Sequence, residues 1–63
     1  MNDEIQATYD LIAKEIEACN ALRLEAAKNN NKREALIFEY FIKALEAVAA
    51  RLEADIAIAG INK

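Results

Sequence analysis

A protein does chemistry through an activated nucleophile, a proton-transferring pair or a set of metal ligands, and this sequence offers few residues for any of these. Cys19 is the single cysteine and histidine is absent. A thiol becomes reactive when a neighbouring base or cation favours the thiolate. Cys19 falls on the apolar stripe of a helical segment with no histidine to activate it, so it reads as an inert packing thiol. Glu15 and Asp55 border the apolar stripes of the two segments. A buried carboxylate there could act as an acid or a metal ligand. The carboxylate di-metal arrangement, however, needs Glu-x-x-His pairs that a chain without histidine cannot build. Boundary residues paired across an interface are the better reading. Tyr9 and Tyr40 read as amphipathic packing residues. The expectation is a protein that is not an enzyme, with no cofactor and no metal.

Cations give two further candidates. Arg23 sits on the seam face, level with Phe38, where its stem can lie on the ring while the guanidinium reaches toward Glu34 or Glu39. Lys28, Lys32 and Arg33 bracket Asn29-Asn30-Asn31. Lys28 suits the negative end of a helix, whereas Lys32 and Arg33 oppose the positive end of the next one. Free N–H groups beside two cations would suit a phosphate or carboxylate, which makes this trio a candidate anion contact. A solvated, charged turn on a small protein is the favoured reading of the same residues.

The elements that would position these groups follow from composition. The chain has 63 residues, no proline, one glycine and fourteen alanines. Alanine, Glu, Lys, Leu and Arg favour helix. The asparagine triplet is the one internal interruption, because Asn tolerates the left-handed conformation and bonds its own backbone. The predicted architecture is all-α. One domain over 1–63 holds a helix over about 3–28, a turn at 29–31 and a helix over about 32–59. A continuous helix would have to carry three asparagines through its centre, which is unfavourable. Asn2 is the expected N-cap of the first helix. Asn31 with Glu34 has capping-box spacing for the second, and Gly60 the expected left-handed C′ position.

The apolar stripe of the first helix is Ile5, Tyr9, Ile12, Ile16 and Cys19, then Ala26, spaced as in a coiled coil. The second helix carries Phe38, Phe41, Leu45, Val48 and Leu52, broadened by Ile42, Ala49 and Ile56. Folded at Asn30, the chain sets Ile16 level with Leu45, Ile12 with Val48, and Cys19 and Ala26 with Phe41 and Phe38. The stripes therefore predict an antiparallel two-helix hairpin.

Size then imposes a partner. In a chain this short, the gain from apolar burial and the entropy cost of ordering nearly cancel. With one cysteine and no histidine, association is the remaining source of stability. Leu36, Tyr40, Ala47, Ala54, Ile58 and Ile61 lie away from Leu45 and form the expected oligomer or partner interface. They are almost symmetric about Ala47, as twofold antiparallel pairing requires. The same register brings Lys43 near Arg51. Leu11, Ala18, Leu22 and Leu24 add scattered apolar surface.

The expected assembly is a homo-oligomeric helical bundle, a dimeric four-helix bundle before others. The expected function is that of a non-catalytic interaction protein, a regulator or adaptor gripping a partner protein through an apolar helix face. Two alternatives are a nucleic-acid-binding dimeric bundle and a small-ligand-binding oligomer. The formal charge of −3, from 8 basic and 11 acidic residues, weighs against nucleic acid. No apolar run suits a membrane span. The acidic Met1-Asn2-Asp3-Glu4 start lacks the features of a signal peptide, so a cytoplasmic location is expected.

Overall fold

The computed structural model describes residues 2–61, with side-chain burial for residues 4–60. Helix α1 spans Asn2–Lys28 and helix α2 spans Lys32–Ile61. They pack as an antiparallel hairpin of 50 × 15 × 11 Å. No helix among the described residues is long and apolar enough to cross a membrane.

The turn is built almost entirely from the asparagine triplet. Asn30 adopts φ 60°, the left-handed region that Asn enters more readily than most residues. The Asn30 N–H donates to the Ala27 carbonyl (3.1 Å) and the Asn31 N–H to the Ala26 carbonyl (2.8 Å). These two bonds are a Schellman motif, closing α1 with Asn30 at C′ and Asn31 at C″. Asn31 also opens α2. Its side-chain oxygen accepts the Glu34 N–H at 3.2 Å, and its carbonyl accepts the first helical N–H, from Ala35. In a full capping box, Glu34 would bond the backbone N–H of the cap. That N–H is already given to Ala26, so the Glu34 carboxylate takes the Asn31 side-chain amide instead, at 2.8 Å. One residue thus ends one helix and starts the next.

The interface between the helices is a regular heptad seam. The buried or half-buried residues of α1 are Ile5, Tyr9, Ile12, Ala13, Ile16, Cys19, Arg23 and Ala26. Those of α2 are Ala35, Phe38, Ile42, Leu45, Ala49, Leu52, Ile56 and Ala59. Ala13 apart, every one is separated from the next by three or four residues in strict alternation, the a and d positions of a coiled coil. Symmetry about the turn sets Ile5 level with Ile56, Ile16 with Leu45, and Arg23 with Phe38. Ala26 and Ala35 form the layer beside the bend. Small side chains there let the helices approach across a short link.

Several expectations need correction. Phe41 and Val48 do not belong to the seam: they are 53% and 43% exposed, and Ile42 and Ala49 take their places. The apolar stripe of α2 is wide enough to contain two overlapping heptad seams that share Phe38, Leu45 and Leu52. The seam in use places Ala35 and Ala49 at a positions, where small side chains allow a close approach of the helices. Gly60 is not a left-handed cap. No glycine has positive φ, and α2 runs through Gly60 to Ile61, two residues beyond its expected end. Asn2, expected as N-cap, is itself the first helical residue.

Candidate functional site: the two faces of the hairpin

The groups with chemical potential are scattered. Cys19 is a half-buried free thiol at a seam position, between Ile16 and Arg23 on α1. Glu15 and Asp55 are exposed on different helices. Among the described residues, no group of three His, Cys, Asp or Glu side chains could hold a metal ion. Arg23 is half-buried, and its Nε and a terminal nitrogen both donate to Asn20 Oδ1, at 3.3 and 2.8 Å. Its guanidinium is thus held by its own helix.

Lys28, Lys32 and Arg33 are all exposed around the turn. The hollow beneath that turn, about 280 Å³, is lined by Leu22, Glu25, Ala26, Asn29, Asn31 and Glu34. Two carboxylates border it, and the Glu34 N–H is occupied by Asn31. The three cations therefore surround the bend without converging on its hollow.

What the structure does organise is surface. In an antiparallel pair, the g and c positions of both helices flank the seam on one side, and the e and b positions on the other. The e side is polar except for Leu24 and Leu36 at its b positions. Gln6, Asn20, Glu39, Lys43, Glu46 and Glu53 lie there. Tyr9 reaches across it, donating from Oη to Glu53 Oε1 at 2.7 Å. That hydrogen bond, and then the negative charge of Glu53, raise the Tyr9 pKa above its ordinary value of 10.0. A hollow of about 270 Å³ on this face is bordered by Asn20, Arg23, Glu39, Ile42, Lys43 and Glu46.

The opposite face carries the larger apolar patch, set among the exposed charges Glu15, Glu25, Glu34, Arg51 and Asp55. Leu11, Leu22, Ile37, Phe41, Val48 and Ile58 all occupy g or c positions and are exposed, with Ala18 and Ala44 between them. Leu22 of α1 and Glu34 of α2 border the same hollow, which places the two g flanks on one side. Phe41 leans on Phe38, ring centroids 6.3 Å apart and planes tilted by 53°. It thereby extends the seam outward onto this face.

The interface expected from sequence is spread more widely. Leu36, Tyr40, Ala47, Ala54 and Ile58 are all exposed, as expected. They occupy b, f and c positions, and only Ile58 falls on the apolar face. The side chain of Ile61 lies outside the described residues. Lys43 Nζ sits 5.8 Å from the Tyr40 ring centroid, so part of that outer surface is already covered by a cation. Sequence reasoning missed Ile37, and scattered Leu11 and Leu22. The available signal was the 4-3-4 spacing of Ile37, Phe41, Ala44 and Val48, a second seam beside the first. Compared with protein-family models, with curated proteins and with solved structures, the chain shows no match.

Proposed function

We propose that this chain is a non-catalytic helical interaction protein whose working form is a homo-oligomer, a dimeric bundle in the simplest case. What supports this is the near absence of an interior. Among the described residues only Ala26 is buried, while Leu11, Leu22, Leu24, Leu36, Ile37, Tyr40, Phe41, Val48 and Ile58 are exposed.

The areas say the same. The hairpin exposes 5090 Å². A compact globule of this mass would expose about 4,000 Å². A compact particle of twice the mass would expose about 6,700 Å², about 3,500 Å² less than two separate hairpins. That difference falls in the range of obligate homodimers, about 2,000–5,000 Å². Seam residues that stay half-exposed realise only part of the roughly 1.5–3 kcal/mol that full burial of a large apolar side chain provides. Association supplies the missing burial.

A regulator or adaptor role follows if the assembled bundle leaves one helix face free for another protein. The scattered titratable groups offer no means of placing an acid against a base, which argues against catalysis. Sedimentation equilibrium over a hundredfold range of concentration tests the reading. A dimer with dissociation linked to unfolding is expected, and a folded monomer throughout would refute it.

A further inference from the structure

The seam uses one side of α2 and leaves a second, equally regular one. Glu34, Ile37, Phe41, Ala44, Val48, Arg51 and Asp55 follow each other in steps of three and four along the g and c positions. This strip faces about a quarter-turn away from the a and d seam, the angle at which a helix in a four-helix bundle meets its second neighbour. Ile37, Phe41 and Val48 are each about half exposed on it.

The strip is complementary to itself. Reversed end for end about the midpoint between Phe41 and Ala44, it sets Phe41 against alanine, Ile37 against valine and Glu34 against arginine. We infer that a second copy of this chain docks here, α2 antiparallel to α2 about a twofold axis. Glu34 then lies level with Arg51 of the partner subunit, Ile37 with Val48 of the partner subunit, and Phe41 with Ala44 of the partner subunit. This rests on the self-association proposed above and names the face and register it uses.

Two features select this occupant. Large meets small at the axis, as close packing requires. Each end of the apolar centre is closed by opposite charges, and twofold symmetry makes both pairs at once. Asp55, the other charged group of the strip, falls in this register beyond the start of the partner's α2, outside the helix–helix contact. The outer surface of α2 lacks this match. Pairing centred on Ala47 sets Lys43 level with Arg51 of the partner subunit, and Tyr40 there already stacks with Lys43. The Glu34 carboxylate uses Oε2 for the turn amide, which leaves Oε1 for an arginine. Leu11, Ala18 and Leu22 of α1 lie on the same face and extend its apolar area, with Glu15 and Glu25 at its margins.

The two registers are separable by cross-linking. In a Cys19→Ala background, Ala44→Cys and Ala47→Cys are oxidised at micromolar concentration and the linked fraction read on a denaturing gel. Rapid linking at 44 with little at 47 is expected. Linking at 47, or at neither in a protein that sediments as a dimer, overturns the register while self-association stands. A parent chain that sediments as a folded monomer overturns both. Charge reversal supplies a second readout: Arg51→Glu weakens the dimer about tenfold, since two surface pairs become repulsive. Adding Glu34→Lys restores most of that loss if the groups face each other, and deepens it if they do not.

Discussion

The turn and the apolar face of the hairpin are opposites in one respect. At the turn, the N–H groups of Asn29, Asn30, Asn31, Glu34 and Ala35 all find partners within a few residues. On the apolar face, Phe41 has Phe38 beside it, yet 53% of its surface stays in solvent. Polar backbone groups can be satisfied locally, because a hydrogen bond needs one partner at one distance. Apolar side chains need an enclosing surface, and two helices cannot supply one. The turn is complete in one chain, and under the proposed pairing the face is completed by another.

The contrast breaks most visibly at Phe41. Phe41→Glu removes a ring from the proposed contact and places a carboxylate there, costing about 3 kcal/mol per site of dimer stability. Tyr40→Glu, one residue away on the outer surface, changes dimer stability by about 0.5 kcal/mol or less. Dissociation constants from sedimentation check both. Equal effects at 40 and 41 would remove the distinction between the faces.

Perturbing the turn should lower stability and leave the stoichiometry alone. Asn30→Ala forces a Cβ-bearing residue without a compensating amide into the left-handed region and costs about 1.5 kcal/mol, while Asn30→Gly is neutral or stabilising. Asn31→Ala removes the cap and costs about 1 kcal/mol. Urea unfolding at fixed concentration measures both, with mass unchanged at concentrations where the chain stays folded.

These turn residues also show where sequence reading succeeds. Asparagine preferences act over four or five residues, so the bend and the cap at Asn31 are legible from residue types and spacing. So is the level pairing of Ile16 with Leu45, which needs only two stripes and a fold point. The membership of Phe41 and Val48 is not. They and the pair Ile42 and Ala49 are equally apolar neighbours on one wide stripe, and only the fit of side chains across the seam separates them. Gly60 misleads for a related reason. Glycine permits a left-handed cap but does not require one, and a Cβ at Gly60 would meet nothing within 4 Å beyond its chain neighbours and its own helix backbone.

That open space gives a smaller test. Gly60→Ala should stabilise the folded chain by about 0.5 kcal/mol, through helix propensity alone. Destabilisation would restore the left-handed cap. The smallest effect belongs to the polar face. Because the neutral phenol of Tyr9 is favoured in the folded chain, its contribution is fully present below pH 10.0 and lost as pH rises through the raised folded value. Tyr9→Phe should flatten this alkaline loss in urea titrations. An unchanged pH profile would mean that the bond to Glu53 does not persist in solution.

The hairpin is expected to fold stably only with another copy against its apolar face. Light scattering coupled to thermal unfolding across a dilution series measures it most directly. A folded species of about 14 kDa is expected, twice the 7.0 kDa chain, with a melting temperature that falls on dilution. A cooperatively melting 7.0 kDa particle whose midpoint ignores concentration would contradict it.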